Sequence, residues 1–199
     1  MGDTQDLPIS KGSGHITLPD GDAPSPLSPD ELRTEKRRII KNILVICVAF
    51  LFNFNAFQGL SRLQSSLHRI EGMGVITSSV LYGSLMISCM FAPKILISYI
   101  GHKWTIAISF TGYILWMAAN GYAVWGTLVT ASIIVGLFAA PLWTAQCSYF
   151  TIEAERYARL SGEKKDAVVS RFFGVFFMFF QLCEFIGLFV FKCKEFIYK

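Results

Sequence analysis

Residues 42–60 read NILVICVAFLFNFNAFQGL, nineteen positions without a formal charge. A helix rises 1.5 Å per residue, so about 20 apolar residues are needed to cross a hydrocarbon core of about 30 Å. The stretch meets that length almost unaided. Immediately before it stand Arg33, Lys36, Arg37, Arg38 and Lys41. A basic cluster followed by a long uncharged run is the beginning of a membrane span.

Working outward, the same reading repeats along the chain. Four more stretches are apolar over a comparable length, at about 74–99, 104–123, 127–149 and 172–191. Of the 199 residues, 53% are hydrophobic and 16% are charged, whereas soluble domains carry about 25% charged residues. Mean hydropathy is +0.47. The charges are also bunched. Residues 1–41 hold 13 of the 32, and nine more fall between Glu153 and Arg171. Lipid is therefore the solvent expected for most of the chain, and a soluble enzyme is excluded. The second stretch is long for one crossing and contains Pro93 and Lys94. A kink at Pro93, with Lys94 snorkelling towards water, is expected there. The third and fourth stretches are joined by only a few residues around Val124 to Gly126, which predicts an antiparallel helical hairpin.

The first 32 residues contain five of the seven prolines and no aromatic side chain. Such a composition buries too little apolar surface to offset the entropy of ordering. Residues 1–41 are thus expected to form a disordered cytoplasmic tail, 42–187 a transmembrane bundle, and 188–199 a divergent C-terminal tail. Lys and Arg set the orientation. With the N-terminus in the cytosol, the inner loops collect Lys94, Lys103, Arg156, Arg159, Lys164, Lys165 and Arg171, leaving Arg62 and Arg69 outside. Lys192, Lys194 and Lys199 run against this pattern.

No catalytic constellation is present. The three histidines, His15, His68 and His102, are scattered, and no GxSxG, HExxH or GxxxxGK[ST] motif occurs. The five cysteines lack the close pairing of a metal site and read as small residues packed between helices. Neither a metal nor a cofactor is expected. The net charge of +4 reads as topology, so no nucleic-acid partner is expected.

Polar residues inside the spans carry the functional signal. Asn53, Asn55 and Gln58 lie in the first span, and Asn55, Gln58 and Arg62 share a helical face. Gln146 closes the fourth span, and Gln181 stands three residues before Glu184 in the fifth. An acid in mid-membrane is unfavourable by about 2.5–3.5 kcal/mol, so Glu184 is expected to face the bundle or water. Two readings stay open for this set: groups that tie helices together, or a path for a substrate or ion. The small residues Ser79 and Gly83, Ser84 and Ser88, and Ser132, Gly136 and Ala140 recur at four-residue spacing. They mark helices whose backbones approach closely.

Several longer motifs carry a family resemblance. Asn53-Phe54-Asn55-Ala56-Phe57-Gln58-Gly59-Leu60, followed by Leu63-Gln64-Ser65-Ser66-Leu67, resembles the first span and loop of the unc-93-like family. Ala139-Ala140-Pro141-Leu142-Trp143-Thr144-Ala145-Gln146 is similar to that family's fourth-span motif, and Met117-Ala118-Ala119-Asn120 and Phe172-Phe173-Gly174 extend the match. The turn Ile100-Gly101-His102-Lys103 stands where the wider major facilitator superfamily has its basic turn, while Ser98 and Tyr99 replace the usual acid and arginine. The resemblance implies an all-α membrane protein, the partial N-terminal half of a major-facilitator-like helical bundle with five transmembrane helices. Complete members of that superfamily have two halves of six spans, so a truncated or alternatively spliced product is expected.

What the resemblance implies for function is regulation of a potassium channel, with small-solute or ion transport, or membrane trafficking chaperone activity, as alternatives. The implied partners are membrane lipids and another membrane protein, a potassium channel or a trafficked receptor. The implied location is the plasma membrane, with multiple passes and a cytosolic N-terminus.

Overall fold

The computed structural model describes residues 28–67, 72–121 and 124–197, with side chains described to residue 62 in the first segment and to 187 in the last. Five helices occupy it: α1 Pro29–Leu67, α2 Met73–Ile100, α3 His102–Gly121, α4 Trp125–Ser161 and α5 Lys165–Ile197. Four of them, all but α3, are long and apolar enough to cross a membrane. The protein is an all-α integral membrane protein.

The helix ends follow from local chemistry. Ser28-Pro29-Asp30-Glu31 starts α1 with a capping box. The Ser28 N–H donates to Glu31 Oε2 at 2.9 Å, and the Glu31 N–H donates back to Ser28 Oγ at 3.4 Å. Pro29 supplies a preset φ at the first helical position, and the two acids complement the helix dipole. Residues 29–41 are therefore helical and continue the helix of the first span towards the N-terminus, correcting the expectation that they belong to a disordered tail. Residues 1–27 lie outside the described residues. Gly101, with φ +80°, ends α2 by donating to Ile97 O at 3.0 Å. Gly162, with φ +72°, caps α4 through Ala158 O at 2.9 Å. The expected loop from Glu153 to Arg171 is thereby reduced to a tight turn, since α4 runs to Ser161 and α5 starts at Lys165. Pro93 is buried inside α2, which continues through it to Ile100.

Packing centres on α4. Some 56% of its most apolar stretch is buried, against 11% for α2. Both α2 and α3 lie along α4, while α5 lies along α1 and also meets α4. The small-residue series makes the α2–α4 crossing tight. A Cβ on Gly136 would stand 2.5 Å from Leu81 O and 2.7 Å from Ser84 Cβ. Ser88 Oγ bonds Leu137 O across the same interface at 2.6 Å. Such close backbone approach is how helices associate where lipid is as apolar as the side chains. Cys47 and Cys183 are buried as small core residues, whereas Cys89 and Cys147 are exposed on the bundle surface.

Aromatic rings fill the interior. Phe50 of α1 meets Phe110 of α3 at 5.3 Å, Trp143 of α4 at 5.7 Å and Phe176 of α5 at 5.2 Å. One turn further on, Phe54 meets Tyr113, Trp143 and Phe180 at 5.3, 5.3 and 5.4 Å. Most of these contacts are edge-to-face or tilted, the arrangements favoured by the ring quadrupole and worth about 0.5–1.5 kcal/mol per pair beyond burial.

Candidate functional site

Helices α1 and α5 run parallel, so their polar positions meet at one level. Side chains on a helix lean towards its N-terminus, and Arg62 is long enough to reach below its own Cα. Its Nη2 forms a hydrogen-bonded ion pair with Glu184 Oε2. Both side chains are 33% exposed, which leaves the pair half-buried at the surface of the bundle. Asn55 and Gln58, on the same face of α1, are half-buried and make no side-chain hydrogen bond among the described residues. Gln181 is exposed, so of the expected polar group the structure brings together Arg62 and Glu184.

A second polar group lies towards the end that holds the N-terminus of α1, the α2–α3 turn and the α4–α5 turn. His102 Nε2 bonds Ser148 Oγ at 2.8 Å, and Lys103 Nζ stands 5.6 Å from the centre of the Tyr149 ring. Gln146 is fully buried. Its Oε1 accepts from Cys147 Sγ at 3.3 Å, while its Nε2 has no partner among the described residues. Tyr149 OH and Glu153 Oε2 are also buried, and Glu153 and Asn42 lie beside the tyrosine hydroxyl. Tyr149 and Glu153 fell outside the polar set picked from the sequence, because Glu153 reads as the start of a charged loop. Their four-residue spacing was the available signal.

The remaining motif positions are mainly structural. Asn120 Nδ2 donates to Trp116 O at 2.8 Å, and Asn53 Nδ2 is buried without a partner. Pro141 is buried within α4 and Trp143 belongs to the aromatic interior. A Cβ on Gly59 would meet nothing within 4 Å. Among the described residues, no three His, Cys, Asp or Glu side chains come together as a metal site.

The chain is 45% identical over 144 residues to Protein unc-93 homolog A of Homo sapiens, covering 72% of this chain and 32% of that protein. It is 47% identical over 142 residues to the protein of that name from Xenopus laevis, covering 71% and 31%. This chain belongs to the unc-93 family. A Caenorhabditis elegans member, named "Putative potassium channel regulatory protein unc-93", is 38% identical over 152 residues, which cover 76% of this chain and 21% of that protein. No family model matches. The unc-93 similarity thus spans about a third or less of each relative's own length.

Proposed function

We propose that this unc-93 chain acts as a non-enzymatic membrane regulator of a potassium channel, by lateral contact between its helices and those of the channel. The observation that carries this reading is the filled interior. Rings from four helices meet around Phe50, so the five helices present their chemistry outward, to lipid and to neighbouring proteins. The half-buried Arg62–Glu184 pair is such an outward feature. The name of the Caenorhabditis elegans relative supports a channel as the neighbour. In this reading the basic end faces the cytosol of the plasma membrane, in line with the positive-inside rule, and the five helices form the first part of a major-facilitator-like half.

A small-solute or ion transporter is the second reading. It is favoured by the unpartnered amides of Asn53 and Gln146, which in a complete two-halved bundle would line a polar path. Affinity purification of the tagged chain with a co-expressed potassium channel, paired with a liposome flux assay, separates the two. Stoichiometric recovery of the channel without flux is the expected result. Saturable uptake by the chain alone, with no channel bound, contradicts it.

A further inference from the structure

At the basic end, a groove of about 270 Å³ runs between α1 and α3 over Ile46, Ala49, Ile106 and Phe110, and its head is formed by Asn42, Lys103 and Tyr149. Val45 forms its outer ridge, and beyond the ridge an open face of α1 itself carries Ile40, Leu44 and Val48 beside Arg37 and Lys41. Helical spacing explains the layout. Positions 41, 45 and 48 form the ridge, 42, 46 and 49 face α3, and 37, 40 and 44 face the other way.

We propose that this groove and the adjoining face of α1 hold one anionic glycerophospholipid, with an acyl chain on each side of Val45 and its phosphate between Lys41 and Lys103. The chemistry of the two ends matches such a ligand. The floors are apolar, while Arg37, Lys41 and Lys103 form no ion pair among the described residues. Glu35, the acid nearest Arg38 in sequence, is already engaged by Arg38 and Arg156. Tyr149 is 5% exposed and lines the head of the first groove, with its hydroxyl beside Asn42 and Glu153. Glu153, beside Tyr149, is buried and leaves the three cations in excess. Basic pockets between transmembrane helices are suited to lipid head groups, and each Lys or Arg near an anionic surface contributes about 1 kcal/mol. An apolar helix on the same face would leave the cations unmatched.

The test uses the full chain in neutral detergent, titrated with phosphatidylserine or phosphatidylcholine of identical acyl chains and followed by native mass spectrometry. Phosphatidylserine should bind preferentially. Lys41→Gln and Lys103→Gln should each weaken it about fivefold, the double variant should lose the preference over phosphatidylcholine, and Lys164→Gln should have no effect. If the double variant fails to fold, Lys103→Gln alone carries the comparison. Equal binding of the two lipids, or a preference that survives both substitutions, overturns the proposal. A detergent-stable dimer that excludes lipid also overturns it, by assigning the face to a second copy.

Discussion

Gly136 is where a single methyl group has the largest predictable effect. Its missing Cβ lies against backbone, Leu81 O at 2.5 Å, and backbone cannot swing aside as a side chain does. Gly136→Ala should therefore destabilise the bundle by about 1–3 kcal/mol, the range for overpacking. Gly174→Ala, with nothing within 4 Å of the new Cβ, should be neutral or stabilising by up to about 1 kcal/mol. Thermal unfolding in detergent compares the two. Arg62 and Glu184 offer a second test at this scale. Truncating either to Ala leaves a half-buried charge without its partner, a loss of about 1.5–3 kcal/mol for a charged hydrogen bond. The double variant should lose less than the sum of the singles, and a strictly additive cycle would show that the pair is not coupled. Both residues stood out in the sequence as polar groups in apolar surroundings. Their pairing did not, since 122 positions separate them and only the parallel docking of α5 on α1 brings them level.

Among the elements, the long polar extensions of α1 and α4 at the basic end were the least legible. The cap Ser28-Pro29-Asp30-Glu31 is a readable start signal, but hydropathy looks past it, because residues 29–41 are polar. They are held by tertiary contacts instead. Arg156 Nη2 bonds Glu35 Oε2 at 2.7 Å, and Ile39, Ala154 and Ala158 are buried together in the core. Ser28→Ala should weaken the start of α1 by about 0.5–2 kcal/mol. Faster amide exchange confined to the first turn is the expected readout, and unchanged protection there would contradict the capping role. At the α4–α5 turn, the Arg171 guanidinium holds the Glu163 carboxyl below its ordinary value of 4.5. A depressed carboxylate contributes stability above its unfolded pKa and loses it as pH falls through the folded one. Protection of this turn should therefore drop only at acidic pH, below 4.5, and Glu163→Gln should reduce that dependence to the part carried by the Glu155–Lys165 pair. The α2–α4 and α3–α4 contacts, in contrast, were visible early, in the Ser132-Gly136-Ala140 spacing and in the short link around Val124.

For the whole molecule, the alternation of the five helices gathers most of the described basic residues at one end, with Arg62 at the other. The faces left outside, including Phe52, Met86, Met90, Phe91 and Phe185, are largely apolar, with the Arg62–Glu184 pair set at the surface among them, and suit lipid or neighbouring helices. Which of these faces meets a partner was not legible in the sequence, because an apolar residue looks the same whether lipid or protein covers it. A channel regulator of the kind proposed alters its partner's current and does not itself conduct. The most direct measurement is the potassium current of cells expressing a potassium channel with and without this chain, with the chain alone as the reference. A changed channel current when both are present, and no added current from the chain alone, is the expected result. An unchanged channel current, together with a current or saturable flux from the chain by itself, would contradict it.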